Sequence, residues 1–145
     1  MNNLYLIVTI AGNRVAIPAT SVESVVEIDR IDPVPLVADH VAGLFALRSR
    51  VMTVIDSCAS VGLGRFVWDG SAEAVIVNCE GHGYAILVEN VDDVVEVNTP
   101  VAASRAVLSA GWARVSVGTI EVHDEALLVV DPVRLIERPF VVIAA

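Results

Sequence analysis

The feature that most constrains this chain is that it matches itself. Shifted by 69 positions, residues 5–28 lie over residues 74–97 without a gap, and nine of the 24 positions are identical. The identities are Ile7/Ile76, Val8/Val77, Gly12/Gly81, Ala16/Ala85, Ile17/Ile86, Val22/Val91, Val25/Val94, Val26/Val95 and Glu27/Glu96. A valine-rich chain pairs valines by chance, so the weight rests on the glycine, the Ala-Ile pair and the Val-Val-Glu run at one register. Farther along, at an offset of 75, Gly43 falls on Gly118, Val54 on Val129 and Asp56 on Asp131. Coincidental β periodicity is the competing explanation, and the shared register across a glycine turn argues for duplication. Each half reads as two strands, a turn, a third strand, a variable loop, then a hairpin ending in Asp and a short helix.

The runs between the turns are short and apolar. Residues 4–10 end at Ala11-Gly12-Asn13, residues 15–17 at Pro18, residues 51–55 at Asp56, residues 74–79 at Glu80-Gly81, and residues 127–130 at Asp131-Pro132. Valine is stiff at χ1 and suits a pleated surface better than a helix, so this is the rhythm of an all-β domain. Residues 4–8, 84–88 and 127–130 are apolar on both faces rather than alternating. A strand of that kind is covered on both sides, and five short strands cannot do this alone. The two halves are therefore expected to pack on each other. Helical signal is confined to two places. Asp131-Pro132 reads as an N-cap followed by proline at the first helical position, and Asp56-Ser57 reads similarly.

Composition now has something to explain. Apolar residues make up 55% of the 145, and mean hydropathy is +0.69. Yet the longest stretch without Asp, Glu, Arg or His is residues 1–13, and the others are eight residues or shorter. A spanning helix needs roughly 18–20 apolar residues, so no direct membrane insertion is expected. Residues 1–13 also lack the basic start and cleavage site of a signal peptide. The net charge of −9, with no lysine, argues against nucleic-acid binding, which needs a basic surface. Cys58 and Cys79 form neither a CxxC pair nor a disulfide framework and read as free thiols in a reducing, cytoplasmic compartment.

Enzymatic readings find little support. Two halves that each end a strand in Asp suggest a protease carboxylate dyad. But Asp56-Ser57-Cys58 and Asp131-Pro132-Val133 lack the Asp-Thr/Ser-Gly loop, and helix capping explains both. His40, His82 and His123 have no metal-ligand spacing. Gly62-Leu63-Gly64 and Gly81-His82-Gly83 read as turns, not dinucleotide loops. The acidic clusters at residues 89–93 and 121–125 read as solvated turns. A hydrolase or ligand-binding barrel would need a pocket of convergent polar groups, and no motif supplies one. No enzyme activity, cofactor or metal is expected.

The segment Val41-Ala42-Gly43-Leu44-Phe45-Ala46-Leu47-Arg48-Ser49-Arg50-Val51-Met52-Thr53-Val54-Ile55-Asp56 resembles the signature of the CheW-like chemotaxis coupling proteins. That signature runs roughly Gly-hydrophobic-x-Asn-Leu-Arg-Gly, four residues, then Pro-Val-Ile-Asp. Gly12-Asn13-Arg14-Val15-Ala16-Ile17-Pro18, the proline loop Pro33-Val34-Pro35 and the strand from Tyr84 are similar too. The likeness covers about residues 4–137 as an element order. It implies an all-β fold of two intertwined five-stranded SH3-like barrels, with short helices after residues 56 and 131. It implies a single CheW-like domain over 1–145, in two related halves at about 5–65 and 74–138. These share a core, and strand exchange between them is compatible with the pattern.

By that resemblance, the protein is a non-enzymatic adaptor that couples chemoreceptor cytoplasmic tips to the regulatory domain of a CheA-type histidine kinase, recruited from the cytoplasm to membrane receptor arrays. Carried over position by position, receptor binding falls on Val22, Ser24, Val25, Gly43, Leu47 and Arg48, and kinase binding on Ser49, Arg50, Val51 and Met52. Arg48 has two readings: contact with or support of the receptor groove, or an intramolecular ion pair between barrels. Four positions depart from the pattern. Ala46 stands for Asn, Ser49 for Gly, Thr53 for Pro, and Ser24 for an acidic residue. They support an alternative, a diverged interaction module serving another kinase pathway or self-association, with weakened receptor binding. The apolar end, residues 140–145, is a candidate strand, partner surface or contact with another copy.

Overall fold

The computed structural model describes residues 3–104 and 106–137. Ten strands and three short helices follow one another: β1 (Asn3–Ile10), β2 (Asn13–Pro18), β3 (Ser24–Ile28), β4 (Val41–Leu47), β5 (Arg50–Asp56), α1 (Ser57–Ser60), β6 (Ala72–Cys79), β7 (His82–Val88), β8 (Asn90–Val97), α2 (Ala110–Val115), β9 (Ser116–Val122), β10 (Glu125–Val130) and α3 (Pro132–Ile136). The boundaries repeat along the chain. β1 and β6 both begin and end 69 residues apart, and β4 and β9 both begin and end 75 apart. The turns repeat as well. Ala11-Gly12 and Glu80-Gly81 all have positive φ, between 50° and 81°, as tight hairpins require. His82 and Gly83 thus belong to strand rather than turn.

The ten strands form two five-stranded sheets, ordered β8-β1-β2-β10-β9 and β3-β6-β7-β5-β4. Replacing each strand of the first sheet by its repeat partner gives the second sheet in the same order. Each sheet takes strands from both halves of the chain. The first holds β1 and β2 with β8, β9 and β10, and the second holds β3, β4 and β5 with β6 and β7. The exchange is sealed by two parallel pairings, β2 with β10 through Val15–Leu128 and Ala16–Val129, and β7 with β5 through residues 84–87 and 53–56.

The two-sided apolar strands find two different cores. In β1, Tyr5 and Ile7 point into the first barrel with Ala16, Ile120, Leu127 and Val129. Leu6, Val8 and Ile10 point the other way, between the barrels, with Ile17, Ile55, Val75, Val77, Ile86 and Val88. The second barrel has its own interior of Ile28, Met52, Val54, Ala74, Ile76, Ala85 and Leu87. Each fully buried Ile or Leu of this kind stabilises by about 1.5–3 kcal/mol over leaving it exposed.

Each barrel closes the same way. After β3 the chain bridges Asp32 to Leu44, and after β8 it bridges Ala102 to Thr119. The backbones come so close that a Cβ on Gly43 would collide with the Asp32 carbonyl oxygen, and one on Gly118 with that of Ala102. The φ values of 150° and 140° there favour glycine too.

An ion pair spans the mouth of each barrel. In the first, Arg14 reaches Glu125 at 2.8 Å and Asp92 at 3.1 Å. In the second, Arg50 reaches Glu23 at 2.9 Å. These are repeat-related positions with the arginine moved: Arg50 corresponds to Glu125, Gly83 to Arg14, and the acid Glu23 to the acid Asp92. Gly83 leaves the room, since a Cβ there would press on the Arg50 guanidinium and Met52. Asp92 therefore lies in strand β8 as an ion-pair partner. Glu89, from the same acidic cluster, accepts the Gly12 N–H at 2.6 Å.

Both aspartates cap helices. Asp56 accepts from the Ala59 N–H at 3.0 Å and also from the Phe66 N–H, and Asp131 accepts from the Val133 N–H at 3.0 Å. Helix α2 had no signal in the sequence. Its Gly111 is a poor helix former, but a Cβ there would run into the Val61 backbone. Arg114, one turn on, donates to the Arg134 and Ser60 carbonyl oxygens and to the Ser60 hydroxyl, tying α1, α2 and α3 together. Burial of its guanidinium lowers its pKa from the ordinary arginine value, and the Glu137 carboxylate opposes that shift.

Candidate protein-docking surface

The hairpin of β4 and β5 carries most of the residues singled out by the sequence. Phe45 faces Met52, Ala46 faces Val51, and Leu47 faces Arg50 across it. Strand alternation sorts them. Phe45, Leu47 and Met52 pack toward the second barrel's interior, and Met52 is completely buried. Ala46 and Val51 face outward, with Val51 57% exposed. Gly43 is buried against the Asp32 backbone. Met52, Leu47 and Gly43 therefore shape this hairpin from behind, and Val51 is its outward apolar residue.

The hairpin tip is strained at Arg48, whose φ is 57°. A positive φ is costly for a residue with a Cβ and persists where surroundings impose it. The position where the family signature has glycine, Ser49, does not take a positive φ; its neighbour does. Arg48 is exposed and makes no hydrogen bond or ion pair with a described residue. Arg50, two residues on, pairs with Glu23 within the second barrel.

The residues assigned to receptor binding lie on two elements, the two edge strands of the sheet that closes into the second barrel. Leu47 and Arg48 sit on the β4–β5 hairpin, at one end of the second sheet's strand order. Ser24 and Val25 sit on β3 at the other end, opposite Ile76 and Val75 of β6, and both are exposed. Val22, just before β3, is half-buried against the core between the barrels. The Arg50–Glu23 pair is the direct link between the two groups, since Glu23 lies between Val22 and Ser24.

Sequence reasoning missed three residues on this face. Thr53 lies two positions beyond Val51 and pairs with Tyr84 of β7. Its hydroxyl is 2.9 Å from His82 Nε2, and the His82 and Tyr84 rings meet edge to face at 4.8 Å. The period of two that placed Val51 outward also places Thr53 there. The neighbourhood of β7 was not legible, because the parallel pairing of β5 with β7 is a tertiary choice. Among the described residues, no group of three or more His, Cys, Asp and Glu is gathered to hold a metal ion. None of their helices is long and apolar enough to cross a membrane.

Two barrels that share a core and exchange strands, with an outward hairpin on one of them, define the class of paired SH3-like barrel domains. Within that class, the CheW-like domain family matches residues 4–140, and the chain belongs to that family. Among solved structures, the chain is similar to the scaffolding protein TtCheW from Thermoanaerobacter tengcongensis. The match has a TM-score of 0.81 at 20% identity and covers 94% of this chain and 89% of that one. At that identity the likeness establishes the fold. No curated protein matches the chain in sequence.

Proposed function

We propose that this protein is a non-enzymatic scaffold that couples chemoreceptor cytoplasmic tips to the regulatory domain of a CheA-type histidine kinase, at receptor arrays on the cytoplasmic face of the membrane. The observation that carries the reading is the family match over residues 4–140, which takes in both barrels. It is supported by an outward hairpin on which Arg48 keeps a strained backbone and has no partner among the described residues. In this reading Ser49, Arg50 and Val51 face the kinase, with Met52 as packing behind them. Val22, Ser24 and Val25 face the receptor, with Leu47 and Arg48 alongside and Gly43 setting the hairpin's path.

The test is a titration of the protein with the isolated kinase regulatory domain and, separately, with a receptor-tip fragment. Wild type is expected to bind both. Val51→Asp is expected to weaken the kinase arm at least tenfold, and Arg48→Ala the receptor arm. Binding of neither partner by wild type would sink the reading. Ser24, where the family carries an acid, favours a second outcome in which the kinase arm is retained and the receptor arm is weak; that is the diverged module.

A further inference from the structure

Each barrel has an end at which its helix-capping aspartate sits, and the two ends are finished differently. At the Asp56 end of the second barrel meet the starts of β4 and β6 and the ends of β3, β5 and β7. Ile31, Ala42, Ala72 and Phe66 pack against that barrel's interior. Phe66 comes from the connection after α1, ten residues beyond Asp56, whose carboxylate accepts the Phe66 N–H at 3.0 Å. Its side chain is half-buried, while Val67 beside it is exposed.

The Asp131 end of the first barrel is built from the corresponding pieces, the starts of β1 and β9 and the ends of β2, β8 and β10. Val101 corresponds to Ile31, since each lies against the glycine of its barrel's close approach, Gly118 or Gly43. Val117 and Asn3 stand at the positions of Ala42 and Ala72. All three are exposed, Val101 by 39% and Val117 by 44%. Tyr5, at the position of Ala74, fills more of this interior from within, which leaves the two valines as the rim a cover would meet. The fourth counterpart, that of Phe66, lies outside the described residues. At an offset of 74, Phe66-Val67 falls on Phe140-Val141, nine residues beyond Asp131. Helix α3 delivers the chain to this place. Arg134 donates to the Ser116 carbonyl oxygen at 3.3 Å, next to Val117. The Ile136 carbonyl is held 2.8 Å from Nε2 of buried His40. From Glu137, three residues reach up to about 10 Å.

We infer that the rim of Val101 and Val117 is the docking site of this chain's own apolar segment, with Phe140 and Val141 folding back over the Asp131 end of the first barrel as Phe66 closes the second. The repeat supplies the occupant, α3 supplies the path, and the chemistry matches, because residues 140–145 are all apolar and meet valines. Covering that rim removes apolar surface from water, which is the driving force. The hold differs from that on Phe66. The Asp131 carboxylate is turned toward Arg134 at 3.8 Å, where the first half has Ala59, so the segment is held by apolar contact rather than by a second backbone bond to the cap. This assigns the segment to internal packing instead of a partner surface. It does not rest on the coupling reading, and neither stands or falls with the other.

The test uses the full chain. Nuclear Overhauser contacts are expected from the Phe140 ring to the methyl groups of Val101 and Val117, and their absence would overturn the inference. Phe140→Ser is expected to move the backbone resonances of Val101 and Val117, to leave those of β4 and β5 in place, and to lower the melting midpoint by about 5 °C. Phe140→Leu should recover most of that loss. Val117→Asp discriminates further. On an uncovered surface such a substitution changes stability little. Beneath Phe140 it should cost about as much as Phe140→Ser, and little more when added to Phe140→Ser, because the two residues share one contact. An equal cost in both backgrounds, or none in either, would count against the contact. Light scattering separates the remaining occupant. A mass that doubles with concentration in wild type and stays that of one chain in Phe140→Ser would overturn the inference in favour of the segment of a second copy, whereas a single-chain mass at every concentration, together with the Overhauser contacts, supports it.

Discussion

Arg48 carries a conflict between conformation and chemistry. Its φ of 57° suits glycine, yet an arginine stands there with its side chain in solvent. Strain of this kind costs about 1–3 kcal/mol and is kept where it serves a function. Arg48→Gly should therefore leave the melting midpoint unchanged or raise it, while weakening the proposed docking. A fall in stability would mean that the guanidinium is structural. Cys58 is the opposite case, a residue whose chemistry the fold suppresses. Burial pushes its thiol pKa above the ordinary value of 9.0, and the Asp56 and Glu89 carboxylates add to the rise, against hydrogen bonds at Ala11 and Ser57. The thiolate is the reactive form, so Cys58 should alkylate far more slowly than half-buried Cys79 at pH 8, and rapidly once urea unfolds the chain. The linked effect on stability has a definite sign. The thiol ionises more readily unfolded than folded, so its contribution is intact below pH 9.0 and declines as pH rises through the native value. Equal alkylation rates in the native state would refute the burial.

The elements show what the sequence made legible. The strands were readable because apolar runs, glycine turns and the repeat all pointed to the same boundaries, and the two capped helices because Asp-Pro and Asp-Ser carry a local mechanism. Helix α2 was not readable. Its glycine at residue 111 argues against helix, and it is there because the Val61 backbone leaves no room for a Cβ, a contact across 50 residues of chain. The docking face was half legible for the same reason. The resemblance assigned both Val51 and Met52 to the kinase side, and the structure turns Val51 outward and buries Met52; the placing of β7 beside β5, and so of His82 beside Thr53, is decided by the sheet. The caps can be ranked by what each carboxylate accepts. Asp131 holds one backbone donor, whereas Asp56 holds the Ala59 N–H and, ten residues on, the Phe66 N–H that anchors the loop before β6. Asp131→Ala should cost about 1 kcal/mol and Asp56→Ala about 2 kcal/mol, by urea midpoint at constant m. Equal losses would show that the Phe66 bond contributes nothing.

At the scale of the whole molecule, the repeat and the sheet topology together make a claim about folding. The two halves of the chain repeat one another in element order, yet neither half has a sheet of its own. β1 and β2 are held by strands that arrive more than 80 residues later, and β6 and β7 complete the sheet begun by β3, β4 and β5. The core between the barrels takes Leu6, Val8 and Ile17 from one copy and Val75, Ile86 and Val88 from the other. A fragment of residues 1–66 would hold β1 and β2 without β10, and β5 without β7, with both apolar faces of β1 in water. Such a strand pair is marginal on its own. Fragments 1–66 and 67–145 should therefore each lack a cooperative thermal transition, and their equimolar mixture should recover the far-ultraviolet spectrum and melting of the intact chain. The break falls in the exposed connection between α1 and β6, where a nick disturbs least. It removes only the covalent link, so the recovered melt should depend on concentration. Cooperative unfolding of either fragment alone would mean that a half can rebuild a barrel from its own five strands, and that strand exchange is an arrangement chosen by the linked chain rather than one its packing demands.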